Sequence, residues 1–318
     1  MKEWKKKALE LHYSRGMSWR KISKNLGVPK STVSDYLRRA TREDYLDDVQ
    51  CESNEPKILL YDLETSMILA YTWGLWNQNI NIDSIVEDWY IICFSAKWLG
   101  SDDMISQSVH HYPKKRGMKF RDNEEFIVLA LWKLVDEADI LIAYNGKKFD
   151  KKKMNAKFLE YGLPEPSPYK VIDPMLICKG NFALTSNKMD FVSKYVSDTE
   201  GGKLKTGLGL WLNCMNDDVE SLDEMQAYCD EDINVLERVY MAVRHWDSNS
   251  PNIALHYDDE TPRCNSCGST ELTPIENKYH RTNLSAFSLV RCDSCQKILR
   301  DRTNVLSKAK RKSLLMNT

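Results

Sequence analysis

Four acidic side chains and one tyrosine carry the chemistry of this chain. Asp62 and Glu64 stand in ILLYDLET, Asp150 in YNGKKFD, and Tyr228 with Asp232 in YCDED. Four carboxylates that converge are what a pair of hard divalent cations requires. That arrangement hydrolyses phosphodiesters, and the reading is a metal-dependent nuclease, foremost a 3'→5' exonuclease. Each motif alone is weak, since DxE is common on surfaces and YxxxD is common on helices. Three motifs on three elements are much harder to produce by chance. Asp173 in VIDPM and Asp190 are rival ligands and are read as structural.

The elements that must position these groups follow from periodicity. Ile58, Leu59, Leu60 and Tyr61 form a buried strand run, and Asp62 and Glu64 share one side of it because strand side chains alternate. Residues 89–99 read as a further central strand, and 68–76 as another. Residues 122–138 form an amphipathic helix with an acidic first turn. A strand over 139–146 ends at Asn145 and Gly146, and a helix follows from Asp150. Residues 221–246 form a long helix on which Tyr228 and Asp232, four apart, share a face, whereas Asp230 and Glu231 point elsewhere.

The 318 residues exceed one small domain, and their 42% apolar content is ordinary for a soluble globular protein. No apolar run reaches membrane-spanning length, and the basic start has no apolar core of a secretory signal. The expected location is therefore cytoplasmic, with reduced thiols (the host cytoplasm for a phage-encoded protein) and no membrane partner. A net charge of -1 hides segregation. Residues 1–42 carry twelve basic against three acidic side chains, residues 263–318 eleven against four, and the segment between is strongly acidic. Basic flanks suit a polyanion and an acidic centre suits cations, although charge runs also simply keep a surface soluble. The expected organisation is a helix-turn-helix domain over 1–42, a linker over 43–56, a central domain over 57–248, a second linker over 249–262, a zinc ribbon over 263–302 and a basic tail over 303–318.

In the first module Ser18 is the expected N-cap, Ile22 and Leu26 share a face, and Gly27 permits a tight turn. Trp4, Ala8, Leu9 and Leu11 supply a preceding helix. Val28, Val33, Tyr36 and Leu37 pack inward. The helix over 30–39 then exposes Lys30, Ser31, Thr32, Ser34, Asp35, Arg38 and Arg39. Lys30, Ser31, Thr32, Arg38 and Arg39 are candidate contacts to phosphates and the major groove, with protein docking as the alternative. At the other end Cys264-x2-Cys267 and Cys292-x2-Cys295 form two thiolate pairs that close a tetrahedral, structural Zn2+ site. His280 is expected on the surface. Cys51, Cys93, Cys178, Cys214 and Cys229 lack such spacing and read as buried thiols or bystanders.

With these motifs in hand, the central domain resembles the DnaQ-like (DEDD) exonucleases of the ribonuclease H-like superfamily, in the DEDDy subgroup marked by Tyr228. The spacing Asn145-x3-Phe149-Asp150 is similar to that of the proofreading domain of family B DNA polymerases and of YprB-type proteins. TWGLWNQNI and ICFSAKWLG also look like phage-encoded stand-alone members. The resemblance implies an α/β fold: a ribonuclease H-like mixed sheet flanked by helices, beside the trihelical module and the ribbon. It implies two Mg2+ or Mn2+ ions held by Asp62, Glu64, Asp150 and Asp232, with Tyr228 orienting the attacking water. It assigns Asn145 to the terminal nucleotide or to the Asp150 loop, and Phe149 and Leu63 to the terminal bases. The implied role is cutting single-stranded DNA from its 3' end in phage replication or repair, with a DNA polymerase as a partner in trans. A ribonuclease or structure-selective endonuclease of the same fold, with RNA as the polymer, is the second reading. A non-catalytic DNA-binding accessory protein is the third. One departure is the run Lys147, Lys148, Lys151, Lys152 and Lys153 around Asp150, where relatives commonly show apolar residues. It reads either as a grip on single-strand phosphates or as an exposed lysine-rich helix start.

Overall fold

The computed structural model describes residues 3–9, 11–12, 17–40, 55–77, 79–196 and 207–316. Cys51 and most of the first linker lie outside the described residues. The chain divides into two compact units, one of residues 1–55 with 255–260 and one of residues 56–254 with 261–318.

The first unit contains α1 (Glu3–Leu9), α2 (Trp19–Leu26) and α3 (Lys30–Arg39). Ala8, Leu9, Leu11, Ile22, Val33 and Leu37 close its core, and Trp4 meets Tyr36 edge-on. Gly27 ends α2 in the left-handed conformation (φ 63°), which glycine adopts without a side-chain clash. Ser18 occupies the N-cap position, but its side chain makes no capping bond. Lys30, Ser31, Thr32, Arg38 and Arg39 are all exposed on α3.

The second unit is built on a five-stranded sheet. Its strands are β1 (Ile58–Thr65), β4 (Ile91–Trp98), β5 (Met104–Ser108), β6 (Ile140–Ile142) and β7 (Lys170–Ile172), in the order β5-β4-β1-β6-β7. A separate two-stranded ribbon pairs β2 (Leu69–Ala70) with β3 (Ile85–Glu87). β1 runs antiparallel to β4 and parallel to β6, so the sheet is mixed. Among the described residues five helices surround it: α4 (Glu124–Glu137), α5 (Asp150–Glu160), α6 (Pro174–Asn181), α7 (Met189–Val196) and α8 (Leu208–Met215). A sixth and longest, α9 (Val219–Val243), crosses one face of the sheet.

Strand alternation divides β1 between two cores. Leu59, Tyr61 and Leu63 pack with Ile127, Val128 and Leu131 of α4 and with Met154 and Phe158 of α5. Ile58 and Leu60 pack with Ile233, Leu236 and Val239 of α9. The buried apolar side chains of β4 lie between such layers, which is why its sequence reads as a continuous apolar run.

The expected strand over 68–76 is a correction. Only Leu69 and Ala70 pair, and Tyr71, Trp73, Leu75 and Trp76 are exposed. An apolar, aromatic run carries strand propensity, but ladder bonds require a neighbour, and β3 offers one for only two residues.

The cysteine-bearing region is a three-stranded antiparallel sheet of β8 (Leu272–Arg281), β9 (Ala286–Cys292) and β10 (Ile298–Asn304). A short helix, α10 (Lys308–Lys312), follows it. The region packs onto the central domain. Lys297, 6% exposed, donates its ammonium to Asp247 O (2.7 Å) and to Ser250 Oγ (2.5 Å), and Ile253 N donates to Asn265 O. The first half of the expected second linker is thus a docking strap.

Candidate active site

Asp62 and Glu64 lie on the α9 side of β1, where residues of β4 face the same helix. Asp62 pairs with Ser95 and Glu64 with Cys93 across the ladder. β6 pairs only with Ile58, Leu59 and Leu60, so β1 continues past its parallel neighbour and leaves Asp62 beside an open edge. Crevices at the carboxyl ends of such strands are where ligands bind in α/β sheets.

α9 brings the third carboxylate. Asp232 is 2% exposed, and its carboxylate, with those of Asp62 and Glu64, offers oxygens that all lie within 4.8 Å of one another. Three hard oxygen donors on two elements form a set suited to a divalent cation. Asp150 is not in this group of three. It is buried at the first residue of α5, and its charge reaches the hydroxyl of Tyr61, which precedes Asp62 on β1 and points to the opposite face. Burial, then Asp150, Tyr169 and Asp62, push the Tyr61 phenol well above its ordinary range, so it stays neutral.

The turn leading to Asp150 is tightly specified. Asn145 takes a positive φ of 62°, which asparagine tolerates, and its N–H donates to Asp173 Oδ1 at 2.9 Å. A side chain on Gly146 would collide with Ala143. Asp173 also caps α6 by accepting from Met175 N. Asp190, read as structural, lines the cleft with Asp62, Asn145 and Asp232, and pairs with Lys194 at 2.9 Å.

Tyr228 is 4% exposed one turn before Asp232, and Trp211 of α8 meets its ring edge-on at 6.4 Å. Trp211 also donates to Thr65 O at the end of β1 (3.2 Å), tying α8 to the acidic strand. Phe149 is 42% exposed beside the site. Leu63 is buried in the core on the opposite face of β1 from Asp62 and Glu64, because adjacent strand residues point opposite ways. A base contact through Leu63 would require that core to open.

Residues that no motif flagged complete the surroundings. The cleft, of about 570 Å3, also presents Lys179 and Lys188. Cys229 lies beneath the carboxylates, its Sγ 3.8 Å from Asp62 Oδ2, and burial raises its thiol well above the usual range. These groups lie far from the motifs in sequence or are of common type, and only Cys229, within YCDED itself, had any signal.

The four cysteines also converge. Cys264, Cys267, Cys292 and Cys295 form one cluster, with Cys264 Sγ 3.5 Å from Cys295 Sγ and Cys267 Sγ 3.6 Å from Cys292 Sγ. Sulfurs about 2.3 Å from a tetrahedral zinc are roughly 3.8 Å apart, so this spacing fits a metal. His280 is exposed and outside the cluster.

The RNase_H superfamily model matches residues 100–244, and a Homeodomain-like domain model matches residues 2–47. No curated protein matches the chain in sequence. A family B DNA polymerase from the hyperthermophilic archaeon Pyrobaculum calidifontis superimposes with a TM-score of 0.39 and 12% identity, over 60% of this chain and 26% of that one. This chain therefore spans about a quarter of that polymerase. The mixed sheet, its flanking helices and the acidic cluster define a domain of the RNase H-like fold, accompanied by a helix-turn-helix-like unit. Among the described residues no helix is long and apolar enough to cross a membrane.

Proposed function

We propose that the protein is a divalent-metal-dependent nuclease that removes nucleotides from the 3' end of single-stranded DNA. The observation that carries this reading is the convergence of Asp62, Glu64 and Asp232 within 4.8 Å, contributed by two elements of an RNase H-like domain. The order of motifs, DxE, then FD, then YxxxD, supports the exonuclease assignment and the DEDDy subgroup.

Asp62, Glu64 and Asp232, with Asp150 at the head of α5, would hold Mg2+ or Mn2+. When bound, such ions screen phosphate charge and make a water nucleophilic near neutral pH. The protein groups have separate tasks. The carboxylates repel an unaccompanied phosphate, so substrate entry depends on their neutralisation. Lys179 and Lys188, on the cleft wall, attract the substrate backbone. Tyr228 orients a water as a hydrogen-bond partner through its phenol hydroxyl. Trp211 limits the swing of its ring. The cysteine cluster would hold structural Zn2+, because four thiolates leave no open coordination position.

Oligonucleotides labelled at either end, incubated with Mg2+, Mn2+ or no divalent ion, test the assignment. A ladder shortening from the 3' end, lost in Asp62→Ala, is the expected result. Intact DNA with either metal and a folded protein would overturn it. Cutting of RNA in preference to DNA would replace the polymer but keep the chemistry.

A further inference from the structure

A second groove, of about 590 Å3, is lined by Lys147, Lys151, Tyr169, Lys170, Asn249 and Pro251 among others. Among the described residues no carboxylate lines it, and Glu165 lines the pocket that shares Lys151 and Tyr169 with it. The segment 145–151 contributes to both spaces: Asn145 lines the cleft with Asp62 and Asp232, while Lys147 and Lys151 line the groove. Lys170 enters from β7, the edge strand of the sheet.

The lysine-rich run around Asp150 therefore splits into groups with different duties. Lys153 Nζ sits 3.5 Å from the centre of the Trp89 ring, and Lys157 is buried between Glu124 (3.0 Å) and Glu160 (2.9 Å). Those ammonium groups are engaged within the fold. Lys147, Lys151 and Lys170 have no ion-pair partner among the described residues, and Lys151 Nζ lies 5.4 Å from the Tyr169 ring. Three ammonium groups beside an aromatic face match the chemistry of a polynucleotide strand: phosphates for the charges and bases for the ring. At its far end the groove meets Asn249 and Pro251, which flank Ser250, the residue whose hydroxyl accepts from Lys297 of the cysteine-bearing sheet.

We propose that Lys147, Lys151 and Lys170 form a phosphate-binding groove that receives the backbone of the single strand whose end occupies the carboxylate cleft, and leads it toward the docked cysteine-bearing region. The groove rests on the nuclease reading only for which end of the strand enters the cleft. Its charge and continuity with Asn145 are independent of turnover.

The test is binding of a fluorescent single-stranded oligonucleotide to the full-length protein over a range of salt, in an Asp62→Ala background that stops cleavage. Replacing Lys147, Lys151 and Lys170 together by Ala should reduce the slope of log K against log salt by about 2, the share of three phosphate contacts on a single strand. Replacing all three by Arg should restore it, and Lys133→Ala on α4 should leave it unchanged. An unchanged slope in the folded triple Ala variant, or a loss that Arg does not restore, would overturn the groove. If the parent protein cleaves nothing yet the triple variant loses slope, the groove stands and the nuclease reading falls. If cleavage is intact and the slope is unchanged, only the groove falls.

Discussion

Ser106 on β5 donates its hydroxyl to Asp230 of α9 across 2.7 Å, and two residues later on that helix Asp232 joins Asp62 and Glu64. Asp230 also accepts from Ser95 of β4 (2.5 Å) and from Gln226 Nε2 (3.0 Å). Lys97 of β4 pairs with Glu237 further along at 2.7 Å. These bonds set the rotation of α9 about its axis, and that rotation decides which acidic residue of YCDED reaches the cleft.

Asp230→Ala should therefore act on both stability and the site. It leaves the Ser95 and Ser106 hydroxyls without their acceptor, while Gln226 Nε2 keeps its bond to Ser95 Oγ at 2.8 Å, at a cost of about 1–3 kcal/mol. The unfolding free energy obtained from urea titration should fall by that amount, and Mn2+ affinity measured by calorimetry should weaken. Unchanged metal affinity in the folded variant would remove the positioning role.

Asp62→Asn should have the opposite effect on stability. Three carboxylates held within 4.8 Å repel one another when no cation is present. Removing one charge should stabilise the metal-free protein by about 1 kcal/mol while abolishing cleavage, the trade-off common at functional sites. Thermal melts with and without Mg2+ check this: the metal-induced rise seen in the parent should be absent in the variant.

Metal removal should unfold the β8–β10 sheet. Its buried cluster consists of Cys264, Cys292 and Cys295, backed by Cys267, Leu272 and Leu299, too few apolar groups to hold three strands alone. Elemental analysis should find about one zinc per chain. Cys292→Ser should lose it and make this region sensitive to protease while the central domain stays resistant.

A histidine at the docking strap predicts a pH dependence. Burial first, then Arg244, Arg291 and Lys297, hold the His245 imidazole below its ordinary range. The unfolded chain then binds a proton more readily than the folded one, so this stabilisation is present above pH of about 6.5 and is lost as the pH falls below it. His245→Gln should flatten the drop in melting temperature between about pH 7 and pH 5. An identical drop in both proteins would rule out this contribution.

Much of this was legible along the chain. β1 and α9 were readable because an apolar run with alternating acids, and a long 3.6-period pattern, are local signals. Gly27 and the two CxxC pairs were readable because they carry their own geometry. The aromatic stretch 71–76 was misread, since pairing depends on a partner strand that local propensity does not reveal. The attachment of the cysteine-bearing sheet through Lys297 was invisible, because a buried lysine 47 residues from its partner Ser250 has no spacing rule.

By itself the sequence determined the types of ligand available: hard oxygens in the middle, soft thiolates near the end, and lysines around Asp150. Only tertiary structure decided which of them meet. Side-chain alternation and the short reach of β6 put Asp62 and Glu64 at an open edge and turned Leu63 into the core. The anchoring of α9 chose Asp232 over Asp230, and the turn at Asn145 sent Lys147 and Lys151 to the second groove. Distances between residues far apart in the chain are set by packing, and packing is a property of the whole domain.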